Sequence, residues 1–103
     1  MLISVAKVKQ WMDQGKPVHL LDIRNPDERA ICHIGGEFIP LPELEHRFNE
    51  LDSTQRPWVV YCHHGVRSEY AAQFLKMRGY DAFSLVGGIE QWSLTIDPTI
   101  PRY

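Results

Sequence analysis

Trp58-Val59-Val60-Tyr61-Cys62-His63-His64-Gly65-Val66-Arg67-Ser68 (58–68) is the stretch on which the fold turns. Its first four residues are β-branched or aromatic and follow the polar segment 52–57, so they read as a buried strand, the strongest β signal in the chain. After Arg67, the residues Tyr70, Ala71, Phe74, Leu75 and Met77 recur at helical spacing over 68–78, and Gly79 is placed to end that helix. A strand running through a short polar loop into a helix is the elementary step of a parallel β-α-β protein.

The same alternation continues on both sides. Upstream, Ser4 is positioned to cap a helix over 5–14 with Val5, Val8, Trp11 and Met12 on one face, and Gly15 stops it. The run 18–23 (VHLLDI) reads as a strand buried on both faces, Pro26 opens a short helix through Ile31, and a brief strand is expected around Ile39. Pro42 begins another helix with Leu44, Phe48 and Leu51 inward. Downstream, 82–86 (AFSLV) reads as a strand, Gly87-Gly88 leads into a short helix through Trp92, and 95–103 (TIDPTIPRY) is expected to lack regular structure. The expected class is α/β, a parallel sheet with helices on both faces, and 1–103 is expected to form a single domain.

The composition fits that reading. Of 103 residues, 44% are hydrophobic and 23% charged, enough to build a core without disulfides. A formal charge of -2 gives no electrostatic reason to expect nucleic acid or an anionic membrane as partner. No apolar run approaches the roughly 20 residues of a membrane span, and the first fifteen residues read as neither signal peptide nor anchor. With two cysteines thirty positions apart, a reduced cytoplasm is the expected compartment.

Cys62 stands at the strand-to-helix junction, where helix N-termini present unpaired N–H groups and open α/β sheets bind ligands. Amides turned inward by Gly65, the helix dipole and the charge of Arg67 are expected to favour a thiolate there. The bland alternative, a buried strand-end cysteine, fits poorly with so polar a sequence after it. His63 and His64 invite a metal or general-base reading, but adjacent side chains diverge and no ligand partners accompany them, so no metal is expected. His63 is expected to face solvent and His64 to shape the loop or pocket rim. His33 reads as a hydrogen-bonded core histidine. Cys32 reads as structural, although a role as resolving thiol for Cys62 stays open.

Four blocks, LLDIRNPDER (20–29), HIGG with FIPL (33–41), VVYCHHGVRS (59–68) and LVGGIEQW (85–92), together resemble the rhodanese family over nearly the whole chain. The resemblance implies a three-layer fold with a five-stranded, mostly parallel sheet flanked by helices. It implies that Cys62 is catalytic and that His63, His64, Gly65, Val66, Arg67 and Ser68 form its substrate-binding loop. Asp22 and Arg24 match positions that serve as structural ion-pair partners near the site, with Glu28 as a third member.

The chemistry so implied is thiosulfate sulfurtransfer by double displacement. Cys62 takes sulfane sulfur from thiosulfate or another persulfide donor and passes it to a thiol or cyanide acceptor, with no cofactor. Two alternatives accompany it: a carrier module that docks a protein in a sulfur relay, and a small cysteine phosphatase. The phosphatase ranks lower because only four residues separate Cys62 from Arg67, against five in the cell-cycle dual-specificity enzymes. The ending, WSLTIDPTIPRY, is similar to the tails of rhodanese domains fused to sulfurylases of molybdopterin and thiamin biosynthesis.

Overall fold

The computed structural model describes residues 1–103. In chain order the elements are β1 (Leu2–Ile3), α1 (Val5–Asp13), β2 (His19–Asp22), α2 (Pro26–Ile31), β3 (Glu37–Phe38), α3 (Leu41–Arg47) with a 3-10 turn at Phe48–Glu50, β4 (Trp58–Tyr61), α4 (Val66–Lys76), β5 (Ala82–Leu85) and α5 (Gly88–Thr95). The strands form one sheet in the order β1-β5-β4-β2-β3, and every neighbouring pair is parallel. The α/β expectation holds, with β4 at the centre of the sheet.

Burial on both faces explains why β4 reads as a continuous apolar run: side chains alternate, and each face meets a separate core. Val59 and Tyr61 point to the layer built from Val5 and Val8 of α1 and from Ile89 and Trp92 of α5. Trp58, Val60 and Cys62 point to the opposite layer, with Leu44 of α3 and Ala71, Ala72 and Leu75 of α4. The result is three layers with the sheet in the middle.

Several boundaries and orientations differ from the sequence reading. β1 was not anticipated; two residues carry too little periodicity to show, and the strand exists because Leu2 and Ile3 pair with Ser84 and Leu85 at the sheet edge. The third strand falls at Glu37–Phe38, just before Ile39. Helix α4 starts at Val66 rather than Ser68, because Gly65 (φ 99°) takes the left-handed turn that ends the loop. Of the apolar residues at helical spacing, Tyr70 and Met77 are 67% and 75% exposed. Ser68, Ala71, Ala72 and Leu75 face the sheet instead. Small residues at that contact let α4 lie close to β4.

Candidate active site

The loop that follows β4 wraps around a sulfur atom. Cys62 is 1% exposed, and its Sγ accepts hydrogen bonds from the backbone N–H of Gly65 (3.1 Å) and Ser68 (3.4 Å). Ser68 Oγ lies 3.4 Å from Sγ and 2.7 Å from Ser84 Oγ on β5, so a buried pair of hydroxyls lies beside the thiol. α4 is an eleven-residue helix pointing its N-terminus at this atom. Two amides and a helix N-terminus are thus directed at Sγ.

The loop carbonyls face the other way, and α5 holds them there. Ile89 N–H donates to Cys62 O (2.9 Å) and Glu90 N–H to His63 O (3.1 Å). This needs a backbone approach so close that a Cβ on Gly88 (φ 61°) would collide with the carbonyls of Cys62 and His63. Gly88 is therefore a requirement of loop shape. With the carbonyls engaged outside, the amides are left to point in.

Arg67, whose charge was expected to act on the sulfur, is paired with a carboxylate. Its Nη1 and Nη2 donate to Glu28 Oε1 (2.7 Å) and Oε2 (2.9 Å), a two-pronged pair with the helix that follows β2. Glu28 is not the third member of the Asp22–Arg24 group through its carboxylate. That place belongs to Arg29, whose Nη1 reaches Asp22 Oδ2 at 3.3 Å. Arg24 itself is wholly buried; it donates to Asp22 Oδ1 (2.9 Å), Asp22 Oδ2 (2.8 Å) and Cys32 O (2.7 Å), so both charges of the ion pair are compensated. These bonds fix the end of β2.

Glu28 is saturated with donors. Besides Arg67 it accepts from Asn25 N–H (3.2 Å) and from the Tyr103 hydroxyl (2.7 Å). The Arg67 hydrogen bonds, helped by Tyr103 and Asn25, hold its carboxyl down at about 2. Burial pushes the Tyr103 phenol up to about 12, so near neutrality it is a donor.

His63 departs from its expected solvent-facing place, while His64 lines a surface pocket with Gly65 and Val66. His64 is exposed, whereas His63 is half-buried, its ring stacked on His64 (3.9 Å) on one side and on Tyr103 (3.8 Å, 9° between planes) on the other. Burial first, and then the neighbouring His64, lower the His63 pKa. Tyr103, which covers His63, lies too far along the chain for the sequence to place. His33 is exposed and its Nδ1 accepts from Gly35 N–H (3.0 Å), a turn bond rather than a core one. Cys32 is buried against the segment 97–103, with Sγ 3.2 Å from Pro101 O. No three His, Cys, Asp or Glu side chains gather at metal-binding distance. No helix is long and apolar enough to cross a membrane.

An all-parallel sheet between two helical layers, with a cysteine at the end of its central strand and two amides directed at the sulfur, defines a class of three-layer α/β proteins. Comparison with known proteins places the chain within it. The rhodanese-like domain family model matches residues 4–95, and the chain belongs to the rhodanese family. It is 38% identical over 92 residues to the thiosulfate sulfurtransferase GlpE of Shewanella oneidensis, covering 87% of this chain and 89% of that protein. It is 37% identical over 93 residues to YrkF of Bacillus subtilis, described as a sulfur carrier protein, covering 88% of this chain and half of YrkF. The crystal structure of a rhodanese-related protein from Thermoplasma volcanium superposes with a TM-score of 0.83 at 27% identity, over 99% of this chain and 98% of that one. Kinship of this kind supports a role in sulfur transfer in general.

Proposed function

We propose that this chain is a sulfurtransferase that carries sulfane sulfur as a persulfide on Cys62. The observation that carries the reading is the pair of N–H groups from Gly65 and Ser68 directed at Sγ. In the first half-reaction the Cys62 thiolate attacks the outer sulfur of thiosulfate. A bond forms between Sγ and that sulfur, the S–S bond of thiosulfate breaks, and sulfite leaves with the electron pair. The terminal persulfide anion is stabilised by the same amides that hold the thiolate. In the second half-reaction a thiol or cyanide attacks the outer sulfur and Cys62 leaves as thiolate. Both steps are sulfur transfers without net oxidation, and no cofactor is required.

His63, His64, Gly65, Val66, Arg67 and Ser68 form the substrate loop in this reading, and Arg67 binds the sulfonate end of the donor after leaving Glu28. A carrier role, in which the acceptor is a docked protein, is favoured by the likeness to YrkF and uses the same persulfide. The reaction is tested by intact mass after thiosulfate treatment, together with thiosulfate-to-cyanide transfer. Wild type is expected to gain one sulfur that a reductant removes, and Cys62→Ser to gain none and transfer none. Transfer that survives in Cys62→Ser refutes the assignment. Persulfide formation with turnover only toward a protein thiol selects the carrier reading.

A further inference from the structure

Residues 97–103 have no regular structure, yet they are held along their length. Thr99 N–H donates to Asp97 Oδ1 (3.1 Å), Ser93 Oγ–H to Ile100 O (2.6 Å), and Arg102 pairs with Glu90 (2.8 Å). These contacts deliver Tyr103 to the rim of the Cys62 loop. There its ring covers His63, and its hydroxyl accepts from Arg24 Nη1 (2.9 Å) while donating to Glu28 Oε2 (2.7 Å).

The position has an electrostatic meaning. Arg67 is the only cation of the loop, and both its Nη groups are taken by Glu28. An anion arriving at Cys62 has to draw Arg67 away, leaving a carboxylate whose side chain is only 13% exposed. A carboxylate stripped of its partners in such a place strongly resists the exchange, whereas one that keeps other donors gives Arg67 up readily. Two donors stay behind: the Asn25 N–H and the Tyr103 hydroxyl. The hydroxyl is itself held in place by Arg24, which is buried and does not move with Arg67.

We propose that Tyr103 is a positioning residue for anionic sulfur donors, whose hydroxyl holds the charge of Glu28 while Arg67 turns from Glu28 to the donor. The proposal rests on the sulfurtransferase reading for its substrate but not for its test. Tyr103→Phe keeps the ring on His63 and removes only the hydroxyl. For thiosulfate, it is expected to raise KM about tenfold, the order of one charge-assisted hydrogen bond, with kcat unchanged.

The independent readout is the ratio of Cys62 alkylation rates by iodoacetate, an anion, and iodoacetamide, a neutral isostere, resolved to Cys62 by peptide mass. Tyr103→Phe is expected to lower that ratio about tenfold toward the value of Arg67→Gln, and to leave the iodoacetamide rate alone. In a Glu28→Gln background, where Arg67 is no longer held by a charge, Tyr103→Phe is expected to change nothing. A merely structural role would move both alkylation rates together and would persist in that background. A folded Tyr103→Phe protein with the wild-type ratio overturns the proposal, as does an equal loss in the Glu28→Gln background. If wild type transfers no sulfur from thiosulfate, the functional reading falls, and the alkylation ratio still decides the role of Tyr103.

Discussion

Glu28→Gln replaces one carboxylate oxygen of the Arg67 pair with an amide nitrogen and keeps an oxygen to accept from Asn25, so it removes charge with little change of shape. Glu28 titrates at about 2 in the folded protein against an ordinary 4.5, so the folded state binds fewer protons than the unfolded one over that interval. The stabilisation is therefore fully present above pH 4.5 and is lost as pH falls toward 2. Taken whole, the difference corresponds to about 3 kcal/mol. The Arg67 side chain is 34% exposed, and solvent screening reduces the figure to about 1.5 kcal/mol. Urea unfolding of wild type and Glu28→Gln at pH 7, 4 and 2.5 measures it, since other carboxylates titrate alike in both and cancel. Wild type is expected to lead by about 1.5 kcal/mol at pH 7 and to lose most of that lead by pH 2.5. A gap of the same size at all three pH values would refute the idea that Glu28 ionisation supports the loop.

Two further substitutions probe the frame of the site. Gly88→Ala places a Cβ against the carbonyls of Cys62 and His63 at φ 61°, and is expected to cost at least about 2 kcal/mol in urea unfolding and to slow alkylation of Cys62. Arg24→Lys cannot reproduce the fork that bonds both oxygens of Asp22 together with Cys32 O; a loss of about 3 kcal/mol is expected, read as a fall in Tm of more than about 10 °C.

Legibility in the sequence followed distance along the chain. Trp58–Tyr61 could be read because a strand buried on both faces needs nothing but its own composition to be recognised. The cysteine at its end, the glycine three residues on and the helix after it are local consequences of that strand. Ser4 as a cap for α1 is likewise local, and its side chain does accept from Lys7 N–H at 3.0 Å. Exposure of Tyr70 and Met77 could not be read, because a helix packed closely on a sheet selects small residues inward and leaves large apolar ones at the margin. The partner of Arg67 was out of reach for a different reason. Glu28 and Arg67 belong to helices that follow different strands, and they meet because β2 and β4 are neighbours in register, Asp22 opposite Tyr61. Tyr103 is the extreme case: nothing in the run TIPRY distinguishes a tyrosine that lies on His63 from one in open water. The one available signal was the likeness of this ending to those of fused rhodanese domains, which marked the segment without locating its contacts.

The dependence of the Cys62 loop on Ile89 and Glu90 also sets an order of events during synthesis. A ribosome releases the thiol well before residues 88–90, so the nascent chain at first displays an unremarkable cysteine on a floppy peptide. The two bonds that hold the carbonyls of Cys62 and His63 outward can form only once the later helix docks, so the wall around the sulfur is among the last parts of the molecule to be completed.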